Sequence, residues 1–70
     1  MRNWRVIVGR NVKRLRLAKG LTQERLAFSA DLDLTYIGGI ERGRRNPSLM
    51  AMARIAEALD APLAELLTTE

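Results

Sequence analysis

The side chains of this 70-residue chain that could do chemistry are mostly cationic. Arg2, Arg5, Arg10, Lys13, Arg14, Arg16 and Lys19 crowd the first twenty residues with no acid among them, and Arg42, Arg44 and Arg45 follow Glu41. Such clusters either face a polyanion or form solvated helix faces, and the first cluster alone fits both. From Ala56 onward the charges are all acidic: Glu57, Asp60, Glu65 and Glu70. One end of the molecule can therefore meet a polyanion while the other meets something else, within a net charge of +4.

Other chemistry is thinly provided for. There is no cysteine and no histidine, which removes disulfides, the usual zinc ligand sets and the commonest general base. No metal, cofactor or small-molecule ligand is expected, and an enzyme is the least favoured class. Asp31 and Asp33 come nearest to a carboxylate pair, but their i, i+2 spacing is poor for a shared helical face. They read instead as a turn residue and a helix N-cap. No apolar run approaches the roughly eighteen residues that span a bilayer. The opening MRNWRVIVGR lacks the long apolar centre and cleavage site of a signal peptide. The expected location is the cytoplasm, with no membrane partner.

The elements that must position the cations read as helices. Trp4, Val8, Val12 and Leu15 recur at i, i+4, i+8 and i+11, lining one face of a first helix that Gly20 stops, with Lys19 against its negative end. Thr22 caps a second helix, where Glu24 complements the dipole, Leu26, Ala27 and Ala30 form a small apolar face, and Phe28 is a core or edge contact. After a break at Ala30 to Leu32, Asp33 caps a third, anchored inward by Ile37 and Ile40. Gly43 ends it, and RRNP makes a basic loop because the residue before proline avoids helical geometry. Ser48 caps a fourth helix with Leu49, Met52, Ile55, Ala56 and Leu59 facing the core. Pro62 fits the first turn of a fifth, whose apolar face is Leu63, Leu66 and Leu67.

The fold expected is therefore all-α, a single compact five-helix bundle over residues 1–70. A domain of this size buries only about 60% of its unfolded surface, so dimerisation would help it. One feature resists the scheme. Gly38 and Gly39 stand together inside the third helix, where each costs about 1 kcal/mol relative to alanine.

The second and third helices, two turns each with a short turn between them, have helix-turn-helix spacing. From spacing alone a generic helical hairpin fits equally. The residues shift the balance: LTQERLAFSADLDLTYIGGIERGRRNPSL resembles the helix-turn-helix of the Cro/C1-type (XRE) DNA-binding family, and within it is most similar to restriction-modification controller proteins. The matching features are LTQ opening helix two, Ala27 within it, TYI in helix three, IERG closing it, NPSL leading to helix four, and Arg16 before AKGLTQ. The similarity runs from about Val8 to Leu67.

The resemblance implies a lambda repressor-like domain with its helix-turn-helix at about 22–42, binding double-stranded DNA as a homodimeric transcriptional regulator on a near-palindromic site. The setting would be bacterial or phage, nucleoid-associated when bound. Leu34, Thr35, Gly38 and Gly39 would face the bases, the two glycines as a bare patch. Arg16, Gln23, Tyr36, Arg42, Arg44, Arg45 and Asn46 would meet phosphates or backbone, with Arg10, Lys13 and Arg14 adding non-specific affinity. Arg16 and Glu41 would form an ion pair tying helix one to helix three. Leu59, Leu63, Leu66 and Leu67, at about 59–67, would form the dimer surface. Leu34 departs from the controller-like pattern, which frequently carries Arg there, and Gly38 stands where Ser is more usual. An antitoxin-like interaction module with the same fold is the alternative. A surface for RNA or anionic membrane is a weaker one, since stacking aromatics and an amphipathic anchor are lacking.

Overall fold

A computed structural model describes residues 2–69. Four α-helices run in chain order: α1 Trp4–Ala18, α2 Gln23–Ala30, α3 Leu34–Glu41 and α4 Leu49–Ala58. Each begins where a short polar side chain takes up a free backbone N–H. Asn3 Oδ1 accepts from Val6 N at 3.3 Å, Thr22 Oγ1 from Arg25 N at 3.0 Å, Asp33 Oδ1 from Thr35 N at 2.7 Å and Ser48 Oγ from Ala51 N at 3.0 Å. Three of the four caps stand where the sequence put them; the Asn3 cap is additional. Asp31, the expected turn residue, closes α2 in the left-handed region at φ 56°, a conformation Asp tolerates better than most residues.

The fifth element is a correction. Leu63–Leu67 forms a 3-10 helix, not an α-helix, and Pro62 precedes it with ψ 145° instead of sitting in its first turn. Five residues held between Pro62 and an extended Thr68 close with the tighter i→i+3 bond, Glu65 N to Pro62 O at 2.9 Å.

The core is aliphatic: Val8 and Val12 from α1, Leu26, Ala27 and Ala30 from α2, Ile37 and Ile40 from α3, Ile55 and Ala56 from α4, then Leu59 and Leu66. α1 packs on α3 and on the 3-10 helix, while α2 lies between α3 and α4. The α1–α3 contact is close because of Gly9. A Cβ there would collide with the Ile40 carbonyl and stand 2.9 Å from that of Glu41. Nothing in the period of α1 reveals this.

Two apolar residues expected inward, Trp4 at 46% exposed and Leu49 at 64%, lie outside, while Leu15 and Met52 are half-buried against the core and Phe28, expected as a core or edge contact, is on the surface. In α1 the buried stripe is carried by Ile7, Val8 and Val12 together with two polar residues, Asn11 and Arg16. Asn11 Nδ2 donates to the carbonyls of Leu66 and Thr68, both at 2.9 Å, fastening α1 to the C-terminal segment. No helix among the described residues is long and apolar enough to cross a membrane.

Candidate nucleic-acid interface

The two isoleucines fix how α3 sits. Ile37 and Ile40 have no exposed surface, so about 100° per residue turns Leu34, Thr35 and Arg42 outward, and all three are exposed. Tyr36 is half-buried at the edge.

Behind this face a polar lock fixes α3 to α1 and α2. Arg16 Nε donates to Glu41 Oε2 at 2.6 Å and Nη2 to Oε1 at 3.0 Å, a two-pronged pair whose side chains are 9% and 3% exposed. Arg16 Nη1 donates to the Leu21 carbonyl at 2.8 Å. Gln23 Nε2 donates to Glu41 Oε1 at 3.0 Å, so the first residue of α2 and the last of α3 share one carboxylate. The hydrogen bond to Glu41 raises the Arg16 pKa, outweighing the opposing effect of burial. The ion pair expected from the sequence is thus present, and it is the role of Arg16 that the geometry carries. Its guanidinium is buried and committed to Glu41 and Leu21.

The glycines are a second correction. Gly38 and Gly39 are buried rather than bare. Over Gly38 lies Arg42, whose Nη1 is 3.1 Å from where a Cβ would stand, with Gln23 Oε1 3.7 Å from the same point. Over Gly39 runs the side chain of Arg45, and a Cβ there would strike its Cγ. The Arg45 backbone also donates to the Gly39 carbonyl at 3.3 Å, while its guanidinium stacks 5.0 Å from the centroid of the Tyr36 ring. The Tyr36 hydroxyl accepts from Ser48 N at 3.3 Å and so ties the face to the start of α4. The absent Cβ atoms make room for arginines.

The remaining basic residues divide. Arg44 and Asn46 are exposed in the loop after α3, and Asn46 also borders a cleft shared with Trp4. Arg14, half-exposed, reaches Asn11 Oδ1 at 3.4 Å and Glu65 at 3.8 Å, toward the acidic end. Lys19 is similarly drawn to Asp60 at 4.0 Å.

The expected dimer surface is also revised. Leu59 and Leu66 have no exposed surface and belong to the monomer core. Leu63 is half-buried and Leu67 is 41% exposed. Beside Leu67 opens a cleft of about 110 Å³ lined by Trp4, Val8, Pro47 and Met52. The sequence did carry a signal for surplus apolar surface here: Leu49 to Met52 is an unbroken apolar run, and no single helix face can bury four successive side chains. Among the described residues no cluster of His, Cys, Asp or Glu is disposed to hold a metal.

These features define a class: a capped two-helix unit, locked by a buried Arg–Glu pair, that presents an arginine-lined helix. Residues 12–66 match the helix-turn-helix family HTH_3, and the chain belongs to it, on the Cro/C1-type (XRE) branch. Among its relatives is the control protein C.BamHI of Bacillus amyloliquefaciens, 46% identical over 66 residues, covering 93% of this chain and 82% of the relative. An uncharacterized HTH-type transcriptional regulator of Sinorhizobium fredii, y4dJ, is 42% identical over 64 residues, covering 91% and 83%. The crystal structure of the restriction-modification controller protein C.AhdI from Aeromonas hydrophila superposes with a TM-score of 0.86 at 50% identity, covering 89% of this chain and 94% of that one.

Proposed function

We propose that this helix-turn-helix regulator binds double-stranded DNA sequence-specifically as a homodimer on a near-palindromic operator, and that it controls a linked restriction-modification pair or its own operon. The observation that carries the reading is the rigid presentation of α3. Both of its ends are tied down, Asp33 capping the start and Glu41 locked to Arg16 and Gln23. The guanidinium groups of Arg42 and Arg45 lie back over its glycines, and its one carboxylate, Glu41, is consumed by the lock. A helix held this way can enter the major groove without paying for its own ordering. Similarity to controller proteins supports the regulatory context.

Residue by residue, Thr35 hydrogen-bonds a base edge or phosphate and Leu34 meets a thymine methyl. Gln23 and the free N–H groups at the start of α2 bind a phosphate. The Tyr36 hydroxyl, engaged only as an acceptor by Ser48 N, keeps its proton for a second phosphate. Arg44, Arg45 and Asn46 supply backbone contacts. Leu63 and Leu67, with Trp4 and Met52 at the neighbouring cleft, form the contact with a second copy. Two copies related by a two-fold axis would place their half-sites about 34 to 36 Å apart.

Selection from random duplex DNA, at two salt concentrations and with the mass of the complex recorded, tests this. The expected product is a motif with two inverted halves bound by two chains. Binding that enriches no motif would contradict sequence-specific recognition.

A further inference from the structure

We infer that Arg42 reads a base, and that Gly38 enables it by leaving space for the guanidinium across the outward face of α3. The inference rests on the DNA-binding reading above and deepens it. With about 100° per residue, Leu34, Gly38, Arg42 and Thr35 succeed one another within roughly a third of the helix circumference. Leu34 offers no hydrogen bond, Gly38 has no side chain, and Thr35 has a single hydroxyl. Arg42 is therefore the richest donor on this face, with five N–H groups in a rigid fork.

Its position matters more than its type. Arg42 Nη1 lies 3.1 Å from where the Gly38 Cβ would stand, which brings the guanidinium back over the preceding turn toward the middle of the helix. An arginine confined to phosphate contact would more naturally lean to the flank, as the loop residue Arg44 can. The charge is also free. Glu41, the one carboxylate within α3, is consumed by Arg16 and Gln23, and Arg42 takes part in no ion pair or side-chain hydrogen bond among the described residues. Arg45, by contrast, is stacked on Tyr36. A guanidinium fork on the groove-facing side matches guanine, whose O6 and N7 are both acceptors in the major groove.

A Cβ at residue 38 would crowd Arg42 Nη1 at 3.1 Å and stand in ordinary contact with Gln23 Oε1 at 3.7 Å, so Gly38→Ala should fold and push the guanidinium a few tenths of an ångström off its place over the helix. The test is titration of the full chain against a duplex carrying the selected motif, and against duplexes with each base pair substituted in turn. Wild type, Arg42→Ala and Gly38→Ala are compared, with their melting temperatures. Wild type should prefer guanine at one step of each half-site by about tenfold or more. Arg42→Ala should flatten that step and leave the others, and Gly38→Ala should weaken the same preference with no fall in melting temperature.

Equal weakening on every duplex for Arg42→Ala, with a salt slope smaller by about 0.9, would make Arg42 a phosphate ligand and overturn the inference. A wild-type guanine preference in Gly38→Ala would overturn the part assigned to Gly38. A wild-type chain with no sequence preference would remove the underlying reading and this inference with it. The wild-type arm and the variant arms thus separate the two failures.

Discussion

Glu41 accepts from Arg16 and Gln23 with its side chain 3% exposed. Removing one partner of a buried pair strands the other charge, which costs more than the pair contributes. Glu41→Gln is expected to lower stability by about 3 kcal/mol, read by urea denaturation, and to weaken DNA binding because α3 loses its C-terminal tether. Unchanged stability and affinity would remove the lock from the account. The Arg16 pKa is raised, so its contribution is complete below arginine's ordinary value and is lost only as pH climbs through the raised one. Titrating Arg16 therefore cannot weaken the lock near neutrality. Gly39 sets two effects against each other. Alanine there gains about 1 kcal/mol of helix propensity, but its Cβ strikes Arg45 and breaks a stack on Tyr36 worth about 0.5–1 kcal/mol. Gly39→Ala should thus stay within about 1 kcal/mol of wild type while losing DNA affinity, as thermal melting and titration would show. The Arg16–Glu41 pair was legible through the family resemblance. The covering of both glycines was not, because an arginine side chain can lie along many directions and only the tertiary setting of α3 against its following loop selects one.

Among the elements, caps were the most legible feature and burial the least. Thr22, Asp33 and Ser48 each accept the backbone N–H that their residue type predicts. This is local chemistry, settled within three residues. Trp4 and Leu49 fit a helical period yet lie outside, since periodicity identifies an apolar stripe without saying how much of it a small bundle can cover. The 3-10 form of Leu63–Leu67 is likewise bounded by extended residues on both sides, Pro62 and Thr68, which a helical period does not reveal. Gly9 is the sharpest element-scale prediction. With the Ile40 carbonyl against it, Gly9→Ala must push α1 from α3, and overpacking of this kind costs about 1–3 kcal/mol. Chemical denaturation should show a loss toward the upper end of that range, since backbone, not a mobile side chain, blocks the Cβ. A stability equal to wild type would mean that the helices separate freely.

At the scale of the whole molecule, the charges sort into a basic region about α1 and α3 and an acidic C-terminal end, where Glu65 and Asp60 already hold Arg14 and Lys19. Exposed apolar surface at Trp4 and Leu67 meets at one cleft, which Arg5 also lines. Leu67→Glu should therefore leave the fold intact, because Leu67 is 41% exposed, and shift sedimentation toward the monomer with a matching fall in affinity for the full operator. A variant that remained dimeric would relocate the interface. Arg44→Ala should weaken binding to every sequence and reduce the salt slope by about 0.9, the share of one neutralised phosphate. If α3 of each of two chains occupies the major groove, methylation of guanine N7 on the selected operator must be blocked there, because N7 lies in that groove. Protection in two clusters, one helical turn apart and present only with protein, is the expected result; a saturated complex that left every major-groove N7 reactive would contradict it.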